Sequence, residues 1–217
     1  MSAIRFLKTV HVGRNPFTVS GEFRPDGRLR FTVDDIDSSD SDFTLYTGTV
    51  TIPFYQEGDR PFMTPGDGGE ISYDSSGEPI WIEDEDVKFA LTVPTSTAPV
   101  GGWPVILYAH GTGGSEMSFV GNEVATQMAA AGAAVLGIEQ VQHGDRRGVS
   151  GAEADLEAYS PERLFYNFLN PRGARDSNVQ AAADHFQLVR FVEDFAAATG
   201  ESVTFDPTKI YPVSYTH

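Results

Sequence analysis

Trp103-Pro104-Val105-Ile106-Leu107-Tyr108-Ala109-His110-Gly111-Thr112-Gly113-Gly114 decides the fold class. Residues 105–109 form an unbroken apolar run, the pattern of a strand covered on both faces, and the run enters a glycine-rich turn. Glycine lets backbone N–H groups come close to a ligand oxygen, and amides so presented stabilise the oxyanion formed when an ester or amide carbonyl is attacked. The stretch therefore predicts a buried strand followed by a turn suited to acyl-transfer chemistry. The plainer alternative, that Gly111, Gly113 and Gly114 only permit a tight strand-to-helix connection, stays open at this point.

Downstream, residues 115–131 read as a small-residue helix ending at Gly132, and 133–138 as the next buried strand. Ser160-Pro161-Glu162 starts a second helix, with serine as cap and proline in the first turn. A long helix is expected over about 174–198, with Val179, Ala183, Phe186, Val189 and Val192 on one face and Gly200 as its stop. Alternating strands and helices imply a mostly parallel sheet flanked by helices, with right-handed crossovers. Residues 205–211 read as a turn feeding one more central strand, which Pro212 breaks almost at once.

Upstream the rhythm is different. Phe17, Val19 and Phe23 alternate with polar residues, Arg24-Pro25-Asp26-Gly27 reads as a turn, and Leu29, Phe31 and Val33 alternate again, which predicts a hairpin. Tyr46, Val50, Ile52 and Phe54 repeat the period of two, as do Val87, Phe89, Leu91 and Val93. The acidic runs 34–42 and 83–86 lack the glycine and terminal glutamate of an EF-hand loop and read as solvated loops. The expected organisation is a β-rich antiparallel region over 1–93 and an α/β unit over 94–211. Residues 212–217, Pro-Val-Ser-Tyr-Thr-His, resemble the conceptual translation of a sequencing adapter and are read as a non-native tail, the alternative being a genuine frayed terminus.

With 217 residues, 40% hydrophobic and 12% aromatic, the chain can bury a sizeable core. A formal net charge of −16 disfavours nucleic acid and anionic membrane surfaces, which the long-range field would repel. The absence of cysteine excludes disulfides, zinc-thiolate sites and a cysteine nucleophile. No apolar run reaches the roughly 18 residues a membrane span needs, and the N-terminus shows no signal-peptide segment. A β-rich extension on an acidic, cysteine-free chain is compatible with a secreted or periplasmic life.

His110-Gly111-Thr112-Gly113-Gly114 after a buried strand, followed by Gln142-His143-Gly144-Asp145-Arg146 after the next, resembles the front half of an α/β-hydrolase of the bacterial esterase/lipase type. Asp206-Pro207-Thr208-Lys209-Ile210-Tyr211 is similar to what precedes that family's nucleophile elbow, and the resemblance covers about residues 48–211. It implies a serine carboxylic-ester hydrolase acting on a small-molecule or lipid ester, with no metal or organic cofactor. It also implies that backbone N–H groups of Thr112 and Gly113 form the oxyanion hole, with His110, Gly111 and Gly114 shaping the turn. The elbow pattern G-x-S-x-G is absent. The resemblance therefore places nucleophile, acid and base beyond this chain, which is expected to be inactive. Ser214, Thr216 and His217 lack the flanking glycines or the following helix and receive no catalytic role.

His143 is a substrate-lining candidate, or else a loop histidine anchored by Asp145 or Arg146. Arg172, Arg175, Asp176, Gln180, Asp184 and Arg190 read as local pairs and caps of the long helix. The cluster Leu164, Phe165, Tyr166, Phe168 and Leu169 reads as interior packing, with a lid over an acyl pocket as the other possibility. A different serine hydrolase or acyltransferase (peptidase, thioesterase, polyester depolymerase) and a non-catalytic binding protein on the same fold remain alternatives.

Overall fold

The computed structural model describes residues 6–12, 15–21, 29–199 and 203–214. In chain order the strands and α-helices are β1 (Phe6–Val12), β2 (Asn15–Gly21), β3 (Arg30–Asp37), β4 (Phe43–Phe54), β5 (Gln56–Gly58), β6 (Gly68–Ile71), β7 (Glu83–Pro94), β8 (Trp103–Ala109), α1 (Ser118–Gly121), α2 (Val124–Ala130), β9 (Ala134–Ile138), α3 (Pro161–Phe165), α4 (Pro171–Thr199) and β10 (Phe205–Ser214). A six-stranded mixed sheet in the order β10-β8-β9-β7-β4-β3 carries the architecture, with the small pairs β1-β2 and β5-β6 beside it. β8 runs parallel to both β9 and β10, while β9, β7, β4 and β3 pair antiparallel in succession.

Sequence periodicity explains the layers. β4 buries Tyr46, Val50, Ile52 and Phe54 on alternate positions, whereas β7 passes from alternation to continuous burial over 89–94, where helices cover both faces. On one face α4 lays Leu188, Phe191, Val192 and Phe195 against Phe89, Leu91, Val105 and Leu136. On the other, Phe119 and the alanines of α2 cover Ala90, Tyr108 and Val135. Phe191 sits with its ring centroid 4.8 Å from those of both Phe31 and Phe89. Burying one such ring contributes about 1.5–3 kcal/mol.

The α/β fold with a β-rich antiparallel first part is as the sequence implies, but β3, β4 and β7 extend the same sheet as β8, β9 and β10. Several local expectations need correction. β2 pairs with β1 and β3 with β4, and the turn expected at 24–27 lies outside the described residues. The helix expected over 115–131 is two short pieces, interrupted where Glu123 takes φ +68°, a left-handed conformation no helix continues through. Residues 83–86 are not a loop but the first residues of β7, and 34–37 belong to β3.

The long helix runs over Pro171–Thr199, and Gly200 lies outside the described residues. Its inward stripe is only partly the one the apolar residues outline: Val192 is buried and Val189 packs against the core, but Val179 is 42% exposed, while Ser177, Gln180, Asp184, Leu188, Phe191 and Phe195 are buried. Apolar periodicity misses the first half of the stripe because that half is polar. β10 continues through Pro212, opposite Leu107, to Ser214. It ends the sheet among the described residues, and a strand with one open side has room for a residue without an N–H.

Candidate active site

β8 and β9 are parallel neighbours whose chains leave in opposite directions, to α1 and α2 on one face and to α4 on the other. Open α/β sheets bind ligands in the crevice outside the carboxyl ends of two such strands. Here the turn after β8, residues 110–114, and the loop after β9, residues 139–148, meet across that crevice. The ring centroids of His110 and His143 are 4.8 Å apart, edge to face.

His110 ties the two loops together. Its Nε2 accepts the Gln140 N–H at 3.1 Å, which leaves Nδ1 as the protonated nitrogen, 2.9 Å from the Gly111 carbonyl. Gln140 Nε2 returns a bond to the His110 carbonyl at 2.8 Å. The residue is 5% exposed, and this burial pushes its pKa down to about 4. It is a neutral structural imidazole at pH 7.

His143 does the same work from the other side. Its Nε2 accepts the Gly113 N–H at 3.1 Å and its Nδ1 donates to the Val141 carbonyl at 3.0 Å. Burial lowers its pKa as well. Gly113 takes φ +83°, and a Cβ at Gly114 would stand 2.7 Å from Ser118 Oγ, so the turn requires glycine at both positions. Among the described residues, none of the hydrogen bonds that hold the turn uses the Thr112 N–H, and Thr112 is exposed.

Neither Asp145 nor the Arg146 side chain anchors His143. Asp145 pairs with Lys88 at 2.6 Å on the surface. Arg146, 3% exposed, donates to Asp184 and Glu85, each at 2.8 Å, and to the Glu139 carbonyl at 3.0 Å. Burial works against its charge, but the carboxylates of Asp184 and Glu85 hold the guanidinium above its ordinary value. Arg60 joins the network through Glu85. The Arg146 N–H also donates to the His143 carbonyl at 2.9 Å, so the network fixes the loop that carries His143.

Asp176 and Asp184 do make local pairs, with Arg175 at 2.6 Å and with Gln180 at 2.7 Å, but the bonds of this group also reach well beyond α4. Asp176 accepts the Ile71 N–H at 2.8 Å, and Gln180 bridges the Tyr55 N–H and the Pro53 carbonyl. These long-range bonds were invisible to sequence reasoning. The one signal available was polar residues at helical spacing, 177, 180 and 184, in register with the apolar stripe that follows.

A cavity of about 370 Å³ opens at this rim, lined by the turn 109–112, by Gln140 and His143, by Phe165 and Tyr166, by Asn178 and His185 of α4, and by Ser214 at the end of β10. The aromatic cluster divides: Leu164 is buried, Phe165 and Tyr166 border the cavity, and Phe168 and Leu169 are 93% and 70% exposed, not interior. Among the described residues no group of three or more His, Asp or Glu side chains is arranged to hold a metal ion. No helix among them is long and apolar enough to cross a membrane.

No protein family matches the sequence, and no curated protein matches it. Among solved structures, the chain is similar to an acetyl xylan esterase from Paenibacillus sp. R4, at 16% identity and a TM-score of 0.37 over 86% of this chain and 45% of that one. It is also similar to a cold-adapted esterase from an Arctic intertidal metagenomic library, at 12% identity and a TM-score of 0.36 over 72% and 48%. An S-formylglutathione hydrolase from Agrobacterium tumefaciens matches at 10% identity and a TM-score of 0.39 over 84% and 52%. The chain thus spans about half the length of these proteins. Likenesses of this size assign no activity to it.

Proposed function

We propose that this chain is the N-terminal part of a serine carboxylic-ester hydrolase of the α/β-hydrolase type, carrying the oxyanion-binding turn but not the nucleophile, acid or base. The observation that supports it most is the Thr112 N–H, unengaged among the described residues on an exposed turn at the carboxyl rim of β8 and beside the cavity. In such hydrolases one oxyanion donor comes from a loop of this kind and the nucleophile stands on a strand-to-helix turn at the top of the sheet. The end of β10 reaches the same cavity, which is where such a turn would begin. Ser214 itself has Val213 and Tyr215 as neighbours instead of glycines and is assigned no role.

On this reading a serine beyond β10 attacks the ester carbonyl, a histidine takes the serine proton, and the carbonyl oxygen becomes an oxyanion at the Thr112 N–H. One such donor is worth about 3–4 kcal/mol of transition-state stabilisation. The Gly113 N–H joins as a second donor only when His143 releases it; until then His143 shapes the turn and walls the ester site. The substrate is a small-molecule or lipid ester, and the chemistry needs no metal or organic cofactor.

The test compares this 217-residue chain with a polypeptide from the same gene extended beyond it. Hydrolysis of p-nitrophenyl acetate and covalent labelling by a fluorophosphonate are expected only in the longer one, on a serine following β10. Labelling of a serine within residues 1–214, or none in the extended polypeptide, would refute the assignment and favour a binding protein.

A further inference from the structure

His143 holds the Gly113 amide with a nitrogen whose role a single proton reverses. Its Nδ1–H is committed to the Val141 carbonyl, so the neutral ring offers Nε2 as an acceptor, and the Gly113 N–H takes it at 3.1 Å. An imidazolium has no acceptor: with a proton on both nitrogens, Nε2–H and the Gly113 N–H would face each other as two donors. The bond between them then has to open. Gly113 is exposed, which gives the turn room to shift as it does so.

An acceptor for the new proton stands beside the same turn. Glu162, in the first turn of α3, is exposed, and a Cβ at Gly113 would stand 2.9 Å from its Oε1. Burial is the main influence on His143 and keeps the ring neutral. The Val141 carbonyl and the Glu162 carboxylate favour a charge on it, while Arg146 and Arg147 of its own loop oppose one. From the turn after β8 the neutral ring of His110 faces it, with His185 of α4 close to His110. We infer that His143 and Glu162 form a proton-operated latch on the second amide donor: a proton from solvent turns His143 Nε2 from acceptor for Gly113 into donor to Glu162, and the Gly113 N–H is released for a ligand oxygen at the turn.

The latch is closed at neutral pH, because burial holds the folded ring's pKa below its ordinary 6.5 and the proton enters only under more acid conditions. As regulation of ester hydrolysis it rests on the function proposed above. Closed, the turn presents the Thr112 N–H alone; open, it presents a second donor, and one oxyanion donor is worth about 10²–10³ in kcat. An anion at the turn favours the open form, since binding and protonation promote each other reciprocally.

The test follows this 217-residue chain, labelled with ¹⁵N, by NMR from pH 8 to pH 4 and reads two amides. Gly113 reports on His143, and Gln140, whose N–H bonds His110 Nε2, reports on His110. The Gly113 amide resonance is expected to move with the same midpoint as His143 Nε2, below pH 6.5, and separately from Gln140, which follows His110 near pH 4. Glu162→Gln should lower the Gly113 midpoint by about one pH unit, the low end of what a neighbouring opposite charge does, and high salt should shrink the difference. His143→Phe should abolish the movement of Gly113. Glu162 is exposed, so its variant keeps the test decisive if the buried substitution fails to fold. A Gly113 amide that stays in place while His143 titrates, one that moves only with Gln140, unfolding of the chain before any release, or a midpoint indifferent to Glu162→Gln overturns the inference. None of these outcomes touches the ester-hydrolase reading, which the fluorophosphonate labelling of the extended polypeptide decides separately.

Discussion

The two halves of α4 are buried by opposite means. Toward its C-terminal end Leu188, Phe191, Val192 and Phe195 meet the sheet through apolar contact, with Phe31, Tyr46 and Phe89 around them. Toward its N-terminal end Asp176, Gln180 and Asp184 are buried just as deeply, but each meets a named partner through a directed bond, on β6, β4 and the loop after β9. Apolar burial is non-directional and tolerates exchange of one shape for a similar one. Directed polar burial fixes positions, and the half of α4 that uses it is the half beside the cavity.

Arg146→Met gives the largest effect and breaks the comparison most severely. It leaves Asp184 buried without its cation, while Glu85 keeps Arg60, and should destabilise the protein by about 3–5 kcal/mol in urea unfolding. A loss under 1 kcal/mol would mean that the polar half is no more exacting than the apolar one. Leu188→Met, a volume-conserving exchange in the aromatic half, should cost less than about 1.5 kcal/mol. Lys88→Ala removes only the surface pair with Asp145 and should change stability by under about 1 kcal/mol, and by less still in high salt.

The imidazoles give the comparison a pH axis. His110 should keep its neutral NMR signature through pH 6 and titrate near pH 4. Because its folded pKa is depressed, the unfolded chain binds the extra proton first. The stability linked to His110 is therefore complete above about pH 6.5 and is lost as the pH falls toward 4. Replacing it with phenylalanine should flatten that part of the stability profile. An ordinary titration near 6.5 would show that the ring is not held neutral between the two loops.

The apolar half of the fold was legible in the chain because it obeys a period. The run 105–109 announced β8, the alternation at Tyr46, Val50 and Ile52 announced β4, and the buried strand at 134–138 followed the same logic. The turn at 110–114 was legible because glycine at 113 and 114 has a steric reason. What escaped was everything set by partners distant in sequence. Nothing near Arg146 in the chain points to Asp184, 38 residues on, or to Glu85, 61 residues back. The break at Glu123 escaped because a left-handed residue without glycine leaves no compositional mark. Likewise, the sequence offers both Thr112 and Gly113 as amide donors, and only folded geometry shows the Gly113 N–H occupied by His143.

The most direct test is a crystal structure of the extended polypeptide inactivated by a phosphonate ester, whose phosphonyl oxygen stands where an ester's oxyanion would form. That oxygen is expected 2.7–3.1 Å from the Thr112 nitrogen, the distance of an oxyanion-hole donor, with the turn 110–114 still held by His110. A phosphonyl oxygen bound by other donors, or a Thr112 N–H bonded to a protein carbonyl, would contradict it.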